Sequence, residues 1–424
     1  MSTTATRRRA RPDVDLATTP PSGYKRTDLG ALPENWKVVE VRDLKPFVTS
    51  GSRGWARFYT ETGAAFIRIT NLSRESIYLD LRDLKVVRLP PNASVEAART
   101  GLRDGDLLIS ITADIGIIGF VDASLEKPAF INQHIALVRF DDAIASNRFI
   151  AYYLASEKPQ RLFVASMDVG AKAGMNLTTI RKIRLALPPS YEQRAIAEAL
   201  SGVDGLLRAL EALIAKKRAI KLAAMQQLLT GKTRLPGFNG EWETKRLADI
   251  CSLKSGQGIT SAKIDDHSAY PCYGGNGLRG FTTTFTHQGD YALIGRQGAL
   301  CGNVVGVSGK FYASEHALVV TPKPTIDIRW LTFVLGRMNL NQYSESSAQP
   351  GLSATKLLVL EIDSPPTKLE QAAIAAVLSD MDAEISALEQ RRDKSRAIKQ
   401  GMMQQLLTGR IRLAMPATAK EAAC

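Results

Sequence analysis

Apolar residues recur at helical spacing in two separate stretches of this chain. In the first stretch they are Ile196, Leu200, Val203, Leu207, Leu210 and Ile214. In the second they are Ile374, Leu378, Met381, Ile385 and Leu388. Steps that alternate between four and three residues form the narrow stripe of a coiled coil. The pattern therefore predicts two long helices that pair with each other as a coiled coil, for which we expect the antiparallel arrangement.

The two helical stretches are copies of one another. Residues 192–235 and 370–413 align without gaps, and about 25 of the 44 positions are identical, which shared helical composition does not explain. Both copies span about 40 residues without proline, which predicts helices of roughly 55–60 Å at 1.5 Å per residue. An internal duplication is therefore the main feature of the chain.

Local signals mark the ends of both helices. Each copy follows a proline pair, Pro188-Pro189 or Pro365-Pro366, and a residue that precedes proline is pushed out of helical conformation. Gly231 and Gly409 suit the left-handed position just past a helix C-terminus. The predicted capping boxes, in which side chains satisfy the first free amides, join Ser190 with Gln193 and Thr367 with Glu370.

A stretch rich in glycine, β-branched and aromatic residues precedes each helix, which predicts β-rich domains. Strand-like runs include Ala65–Ile69, Leu107–Ile111, Asn303–Val307 and Ala317–Val320. The predicted fold is α+β, with two β-rich α/β domains in tandem and two long helices arranged with pseudo-two-fold symmetry. The predicted parts are a disordered basic tail (1–23), a first domain (24–187), a helical region (188–231), a second domain (232–364), a helical region (365–413) and a tail (414–424).

Charge and composition narrow the functional classes. The 424 residues carry a formal net charge of +13, and a basic balance spread along the chain favours a nucleic-acid partner. No apolar stretch is long enough for a membrane-spanning helix. The four cysteines and four histidines lack metal-ligand spacing, so we expect no metal site and a reducing, cytoplasmic location.

The similarity of the helices contrasts with the divergence of the domains. Helices that stay alike must serve one shared task, whereas domains that differ are suited to recognising two different targets. An antiparallel pair would relate the domains by an approximate two-fold axis. Such a molecule suits two DNA half-sites about 34 Å apart, which is one helical turn.

These motifs together resemble the specificity subunit of type I restriction–modification systems. The resemblance covers the chain from Tyr24 to Leu413. It includes the Leu-Pro-x-x-Trp-type openings at Leu32–Trp36 and Leu235–Trp242. It also includes the Pro-Pro…Glu-Gln-x-x-Ile helix entrances and the Gln-Gln-Leu-Leu-Thr-Gly exits at Gln226–Gly231 and Gln404–Gly409.

The resemblance implies a non-catalytic subunit with two target recognition domains, each of which reads half of a split, asymmetric site in double-stranded DNA. It implies two methyltransferase subunits docked along the helices and motor-nuclease subunits added to that core. S-adenosylmethionine, ATP and Mg²⁺ are expected on those partners, and no cofactor is expected in this chain.

Two glycine motifs leave other functions open. Thr230–Thr233 resembles the end of a P-loop, but Gln226 stands where the first glycine is needed. Gly275-x-Gly277-x-x-Gly280 matches a dinucleotide fingerprint, but a strand-like run follows instead of a helix. We therefore predict a helix cap and a tight loop. The alternatives are a self-contained S-adenosylmethionine- or nucleotide-dependent DNA enzyme and a structural coiled-coil scaffold.

Arginine, lysine, asparagine and glutamine on loops are the side chains suited to base edges. In the first domain the candidates are Arg53, Arg57, Arg68, Asn71 and Lys172. In the second domain they are Asn276, Arg279, Arg296, Gln297 and Gln349. Contact with phosphate is the alternative for each of them.

Overall fold

The structure is a computed structural model, and it describes residues 20–167, 175–298, 300–344 and 351–413. The chain divides into two compact units. The first unit contains Met1–Ala209 and Arg392–Cys424, and the second contains Leu210–Arg391. The predicted domain boundaries fall near the helix ends, whereas this division falls within the helices, so each helix contributes to both units.

The first unit begins with twelve strands among its described residues. They are β1 (Tyr24–Thr27), β2 (Gly30–Pro33), β3 (Lys37–Glu40), β4 (Phe47–Ser50), β5 (Tyr59–Thr60), β6 (Ala64–Ile67), β7 (Lys85–Val87), β8 (Leu107–Ser110), β9 (Ile118–Phe120), β10 (Ala129–Ile131), β11 (Ile135–Arg139) and β12 (Arg184–Leu187). Its helices are α1 (Ser94–Thr100), α2 (Asn147–Ala155), α3 (Glu157–Met167), α4 (Leu177–Arg181) and the first part of α5 (Ser190–Leu228).

Two four-stranded sheets form the centre of the first unit, with strand orders β10-β6-β7-β5 and β4-β11-β8-β9. The β10–β6 pair is parallel, and the other pairs of these sheets are antiparallel. Helix α2 packs on the second sheet and buries Phe149, Ile150 and Tyr152 in the core. Ile196 and Leu200 of α5 join that core, as do Leu406 and Leu407. Part of the predicted helical seam therefore packs against a domain.

The second unit continues with ten strands among its described residues. They are β13 (Glu243–Arg246), β14 (Cys251–Ser255), β15 (Tyr270–Gly274), β16 (Gly277–Thr282), β17 (His287–Gln288), β18 (Tyr291–Gly295), β19 (Val304–Val307), β20 (Lys310–Ala313), β21 (Ala317–Pro322) and β22 (Glu361–Ser364). Its helices are α6 (Leu247–Ile250), α7 (Ile328–Arg337), α8 (Ala354–Leu358) and most of α9 (Lys368–Leu406). The four strands predicted from the sequence are confirmed as β6, β8, β19 and β21.

The second unit repeats the plan of the first. Its sheets have the orders β14-β21-β18-β19 and β16-β15-β20-β17, again with one parallel pair, β15–β20. One connection differs between the units. Residues Arg68–Leu84 separate β6 from β7, whereas only Gly275 and Asn276 separate β15 from β16.

Helices α5 and α9 each contain 39 residues and pair antiparallel in both units. In the first unit Asp204 contacts Lys399, with Nζ 2.6 Å from Oδ1. In the second unit Lys221 contacts Asp382 at 2.5 Å, and Lys217 contacts Glu384 at 2.6 Å. Within each unit, contacts that involve later residues of α5 involve earlier residues of α9, as an antiparallel pair requires. The predicted seam positions are buried or half-buried.

The helix ends confirm part of the sequence prediction. Gly231 and Gly409 have φ values of +67° and +69°, as the left-handed position after a helix requires. Thr367 Oγ1 accepts a hydrogen bond from the Glu370 amide at 3.2 Å. The Glu370 side chain bonds to Arg234, so the second half of the box predicted for Thr367 and Glu370 is wrong. The box predicted for Ser190 and Gln193 is wrong in both halves, because the Gln193 amide donates to the Pro189 carbonyl at 3.1 Å and the Gln193 side chain bonds to Ser146 and Pro188.

Candidate nucleic-acid interface

A buried glutamate at the start of α5 fixes the first domain to the helices. Glu192 is 1% exposed, and Trp36 Nε1 donates to its Oε2 at 3.2 Å. Arg412 donates to the same carboxylate through Nε at 2.5 Å and through its second guanidinium nitrogen at 2.6 Å. The hydrogen bonds to Glu192 raise the pKa of Arg412 above its ordinary value. The start of the domain, the start of α5 and the segment after α9 therefore meet at one carboxylate.

The second unit builds the same arrangement from the other copy. Glu370 is fully buried, and Trp242 Nε1 donates to its Oε1 at 3.4 Å. Arg234 donates to both carboxylate oxygens, at 2.5 and 2.7 Å. This geometry explains why the Trp opening, the Glu-Gln entrance and the arginine after the Thr-Gly exit recur together in the sequence.

The glutamine after each of these glutamates anchors a domain helix. The side-chain Oε1 of Gln193 accepts from the amide of Ser146, the N-cap residue of α2, at 2.9 Å. The side-chain Oε1 of Gln371 accepts from the amide of Asp327, the N-cap residue of α7, at 2.8 Å. Buried polar groups that bond in this way set the orientation of a domain on its helix.

In the first domain, three loops meet at one edge of the sheets, which we call the first loop edge (Gly51–Arg53, Ile111–Ala113 and Asn132–His134). Ser52 forms an isolated bridge with Asn132, and the Ile111 amide donates to the His134 carbonyl at 2.9 Å. A Cβ on Gly51 would lie 2.0 Å from the Asn132 carbonyl oxygen, so only glycine permits this close approach.

In the second domain, the equivalent loops form the second loop edge (Gly256–Gly258, Arg296–Gly298, Ser314–His316 and the Gly275–Asn276 turn). Gln257 forms an isolated bridge with Ser314, and the Arg296 amide donates to the His316 carbonyl at 3.0 Å. A Cβ on Gly275 would lie 3.0 Å from the same carbonyl oxygen. The glycine fingerprint is therefore the turn of a β-hairpin, which agrees with the tight loop that the sequence predicts.

The two loop edges keep a histidine in the same place but differ in its partner. His134 Nδ1 lies 2.5 Å from Thr112 Oγ1 in the first domain. His316 Nδ1 lies 2.6 Å from Gln297 Oε1 in the second. One scaffold thus presents a hydroxyl at the first edge and a carboxamide at the second. These groups offer different hydrogen-bonding patterns to a base.

The three arginine candidates of the first domain lie in different surroundings. Arg53 is exposed on the first loop edge, and Arg57 is exposed with its guanidinium 4.7 Å from the Phe58 ring centroid. Arg68 pairs with Asp83 at 2.8 Å, and this contact lowers the pKa of the Asp83 carboxyl.

The two remaining candidates of the first domain are Asn71 and Lys172. Asn71 is 1% exposed, and it accepts from the Arg68 amide at 2.9 Å and donates to the Asp80 carbonyl at 2.8 Å. This burial contradicts the prediction of a base contact for Asn71 and assigns it to loop structure. Lys172 lies outside the described residues.

The candidates of the second domain lie closer together. Asn276, Arg296 and Gln297 belong to the second loop edge, and the Arg296 guanidinium donates to Ser255 Oγ at 2.7 Å. Arg279 is exposed on β16, beside the hairpin turn. Gln349 lies outside the described residues.

Sequence reasoning omitted several polar side chains of the loop edges. Thr112, Gln257, His134 and His316 were not among the candidates for base contact. The available signal was the repetition of a glycine followed by a polar residue, Gly51-Ser52 and Gly256-Gln257, together with the equivalent histidines. Thr112 and Gln297 occupy corresponding positions in the two domains, since each contacts the histidine of its own loop edge. These hydrogen bonds are seen only in the folded domains, because the two residues share no local motif.

The comparisons with known proteins agree with this architecture. The model of the type I restriction modification DNA specificity domain matches residues 33–221 and 239–396. The chain therefore belongs to this family of specificity proteins. The EcoprrI specificity subunit of a type I restriction enzyme from Escherichia coli is 46% identical over 146 residues. That match covers 34% of this chain and 36% of the relative's length.

Solved structures share the fold over nearly the whole chain. A type I restriction–modification S subunit from M. genitalium superposes with a TM-score of 0.64 at 15% identity and covers 90% of this chain and 97% of its own. A chain from a study of complex assembly and conformational transition in a type I restriction–modification system superposes with a TM-score of 0.50 at 16% identity, covering 90% and 99%. Among the helices that the structure describes, none combines the length and apolar character needed to cross a membrane.

Proposed function

We propose that this chain is the DNA-reading subunit of a type I restriction–modification complex and is not catalytic by itself. Each domain reads one half of a bipartite, asymmetric site in double-stranded DNA through its loop edge. The helices dock two methyltransferase subunits, which bind S-adenosylmethionine and methylate adenine. Motor-nuclease subunits that use ATP and Mg²⁺ join this core.

One observation carries the proposal: the two domains share a scaffold but differ in the side chains of their loop edges. The histidine contacts Thr112 in the first and Gln297 in the second. A pair of readers for unlike half-sites needs this combination, because the scaffold sets the approach to DNA and the loop side chains select the bases.

The positive charge supports a DNA partner. A net charge of +13 favours a polyanion, and phosphate contacts make such binding sensitive to salt. Arg53 and Arg279 expose guanidinium groups on or beside the loop edges. Arginine suits both phosphate and the guanine edge, since its fork of donors matches each of them.

Glycine motifs do not support the enzyme alternative. Gly231 follows the end of α5 in the left-handed conformation, and Gly275 and Gly280 belong to the β15–β16 hairpin and its strands. Calorimetric titration of the isolated chain with S-adenosylmethionine and with ATP tests that alternative. We expect no heat of binding, and a saturable signal with either compound would favour a self-contained enzyme.

The decisive experiment maps methylated adenines in host DNA for cells that carry the wild-type chain, Gln297→Ala or Thr112→Ala. We expect Gln297→Ala to change recognition in one half-site only and Thr112→Ala to change the other half. Arg337→Ala, on α7 away from the defined loop-edge residues, is the control and should leave the methylated motif unchanged. If both loop-edge variants give the wild-type methylated motif at unchanged methylation levels, the proposal is contradicted.

A further inference from the structure

In the first unit, a long connection of the β-sheet covers the paired helices. This connection, Arg68–Leu84, leaves β6 and returns at β7. Tyr78 is 8% exposed, and its hydroxyl lies 2.7 Å from Ser201 Oγ on α5. The Arg208 guanidinium carbon lies 4.4 Å from the centroid of the Tyr78 ring. An aromatic side chain is thus inserted against α5.

The same connection places an acidic residue on α9. The Glu75 carboxylate lies 3.7 Å from the guanidinium of Arg396, and the Glu75 carbonyl accepts from Lys399 Nζ at 3.4 Å. Lys399 also pairs with Asp204, and the side chains of this pair are only 7% and 5% exposed. The segment therefore buries an aromatic ring against this part of the helix pair and places a largely exposed carboxylate beside Arg396.

In the second unit, the β-sheet has no room for an equivalent connection, because Gly275 and Asn276 alone join β15 to β16. The corresponding part of the helix pair is open and forms a groove of about 500 Å³, which we call the α5–α9 groove. Its lining includes Arg218, Lys221, Leu222, Met225, Asp382 and Ile385. The Lys221–Asp382 pair, which matches the buried pair of the first unit, has side chains 20% and 50% exposed.

The open groove keeps the cationic groups that contact Glu75 in the first unit, whereas Ser386 stands at the position of Arg208, which contacts the Tyr78 ring. In the aligned repeats, Arg218 corresponds to Arg396 and Lys221 to Lys399. Met225 likewise corresponds to Met403, and Asp382 to Asp204.

One position of the groove differs in a way that favours a protein partner. Leu222 replaces Gln400 and is 59% exposed. Burying a leucine side chain contributes about 1.5–3 kcal/mol, so an exposed leucine beside retained charged anchors marks an interaction surface.

We propose that the α5–α9 groove of the second unit binds a segment of a methyltransferase subunit that presents an aromatic side chain and a carboxylate. The occupied groove of the first unit defines this chemistry, with the ring against α5 and the carboxylate near the arginine of α9. In the second unit the helix roles are exchanged, so the carboxylate faces Arg218 of α5, which pairs with Glu389 across the groove but keeps a side chain that is 63% exposed. This inference rests on the proposed function, because it assigns a docking position to one of the proposed partners.

Titration of the full chain with the methyltransferase subunit, followed by light scattering, tests the groove. The wild-type chain should bind two copies. Leu222→Asp should lower the affinity of one copy at least tenfold, because a carboxylate then faces the carboxylate of the partner. Gln400→Asp is the matched control at the aligned position and should keep both copies.

A peptide with the sequence of Leu72–Asp80 supplies a second measurement. The labelled peptide should bind the wild-type chain, the methyltransferase subunit should displace it, and a peptide with Tyr78→Ala should bind at least tenfold more weakly. Two copies bound with unchanged affinity by a folded Leu222→Asp variant would overturn the groove assignment alone. Absence of any methyltransferase binding to the wild-type chain would overturn both this assignment and the proposed function.

Discussion

Arg412 binds the carboxylate of Glu192 with two hydrogen bonds, although the two residues are 220 positions apart in the chain. The contact joins the segment that follows α9 to the first turn of α5. Since Trp36 donates to the same carboxylate, three distant parts of the sequence are held by one buried group. The first unit is therefore not complete until the last described residues of the chain have folded.

Replacing Arg412 by alanine should destabilise the first unit. Glu192 would keep only the Trp36 contact, and breaking a buried ion pair typically costs about 3–5 kcal/mol. The Arg412 side chain is about one-third exposed, so we expect the lower end of that range. Urea denaturation followed by tryptophan fluorescence measures the loss. Arg410→Ala, at an exposed neighbouring position, should change the free energy of unfolding by less than about 0.5 kcal/mol, and equal effects of the two variants would contradict this interpretation.

The buried cluster of Tyr152, Asp204 and Lys399 should contribute unequally through its members. Tyr152 donates to Asp204 at 2.6 Å, and burial followed by the Asp204 charge raises the pKa of Tyr152 above its ordinary value. Asp204→Ala leaves Lys399 without its carboxylate and should cost about 3–5 kcal/mol. Tyr152→Phe removes one hydrogen bond to a charged group and should cost about 1.5–3 kcal/mol.

The second unit offers a natural reference for this cluster. Phe333 of α7 lies against Lys221, whose Nζ is 5.2 Å from the ring centroid. A phenylalanine therefore packs beside the corresponding lysine without a hydroxyl. Thermal unfolding of both variants shows whether the ring or the polar contacts of this cluster contribute more to stability. A loss of stability for Tyr152→Phe as large as that for Asp204→Ala would contradict the predicted order.

Local signals were sufficient to predict the helices, their left-handed caps and the tight loop at Gly275, because each depends on residues that are neighbours in sequence. The roles of Glu192 and Glu370 could not be predicted in this way. Capping patterns assign Glu370 a local partner, whereas in the fold its carboxylate is taken by Arg234 and Trp242. Competition between a nearby amide and a distant guanidinium is decided only when the domain packs on the helix.

The burial of a loop residue could not be predicted from the sequence either. Asn71 has the residue type and position of a base-reading side chain, but it is buried because Arg68–Leu84 folds back on itself. Neither hydrophobic periodicity nor turn motifs indicate this fold. The α5–α9 groove could not be predicted from the sequence, because it depends on two separate features. These are the short connection between β15 and β16 and the surface of helices that lie elsewhere in the chain.

Glycine substitutions should have opposite effects at the cap and inside the helix. A Cβ on Gly409 would lie 2.6 Å from Pro33 Cδ, and the φ of +69° is unfavourable for alanine. Gly409→Ala should therefore destabilise the first unit by more than about 1 kcal/mol. Gly202 lies inside α5, where a Cβ would meet no neighbouring atom within 4 Å, so Gly202→Ala should stabilise the unit by up to about 1 kcal/mol. Differential scanning calorimetry should show melting shifts of opposite sign.

The thiols of Cys251, Cys272 and Cys301 should react slowly in the native protein. All three are buried, and burial raises the pKa of Cys251 to about 11 and those of Cys272 and Cys301 above the ordinary range. A raised pKa lowers the thiolate fraction, which is the reactive form, at about pH 8. Alkylation mapped by mass spectrometry should label these positions only after denaturant is added. Rapid labelling of Cys251 in the folded chain would contradict the burial.

Arg53 and Arg296 should differ in how they contribute to DNA binding. Arg53 is exposed, whereas Arg296 is half-buried and its guanidinium is oriented by Ser255 at 2.7 Å. An oriented guanidinium suits base readout, and an exposed one suits phosphate, which needs less exact positioning. Binding of cognate and single-substituted duplexes, measured across a salt series with the methyltransferase subunit present, separates these roles.

Arg53→Ala should weaken all duplexes to a similar extent and lower the salt slope by about one. Arg296→Ala should cost about 1–3 kcal/mol on the cognate duplex and much less on a duplex altered at the base pair it reads. The reverse assignment, in which Arg296→Ala weakens every duplex equally and Arg53→Ala relaxes one position, would place the base contact at Arg53. The ordering of Arg296 by Ser255 predicts the first outcome, and Ser255→Ala should reproduce part of the Arg296→Ala loss of specificity without removing any charge.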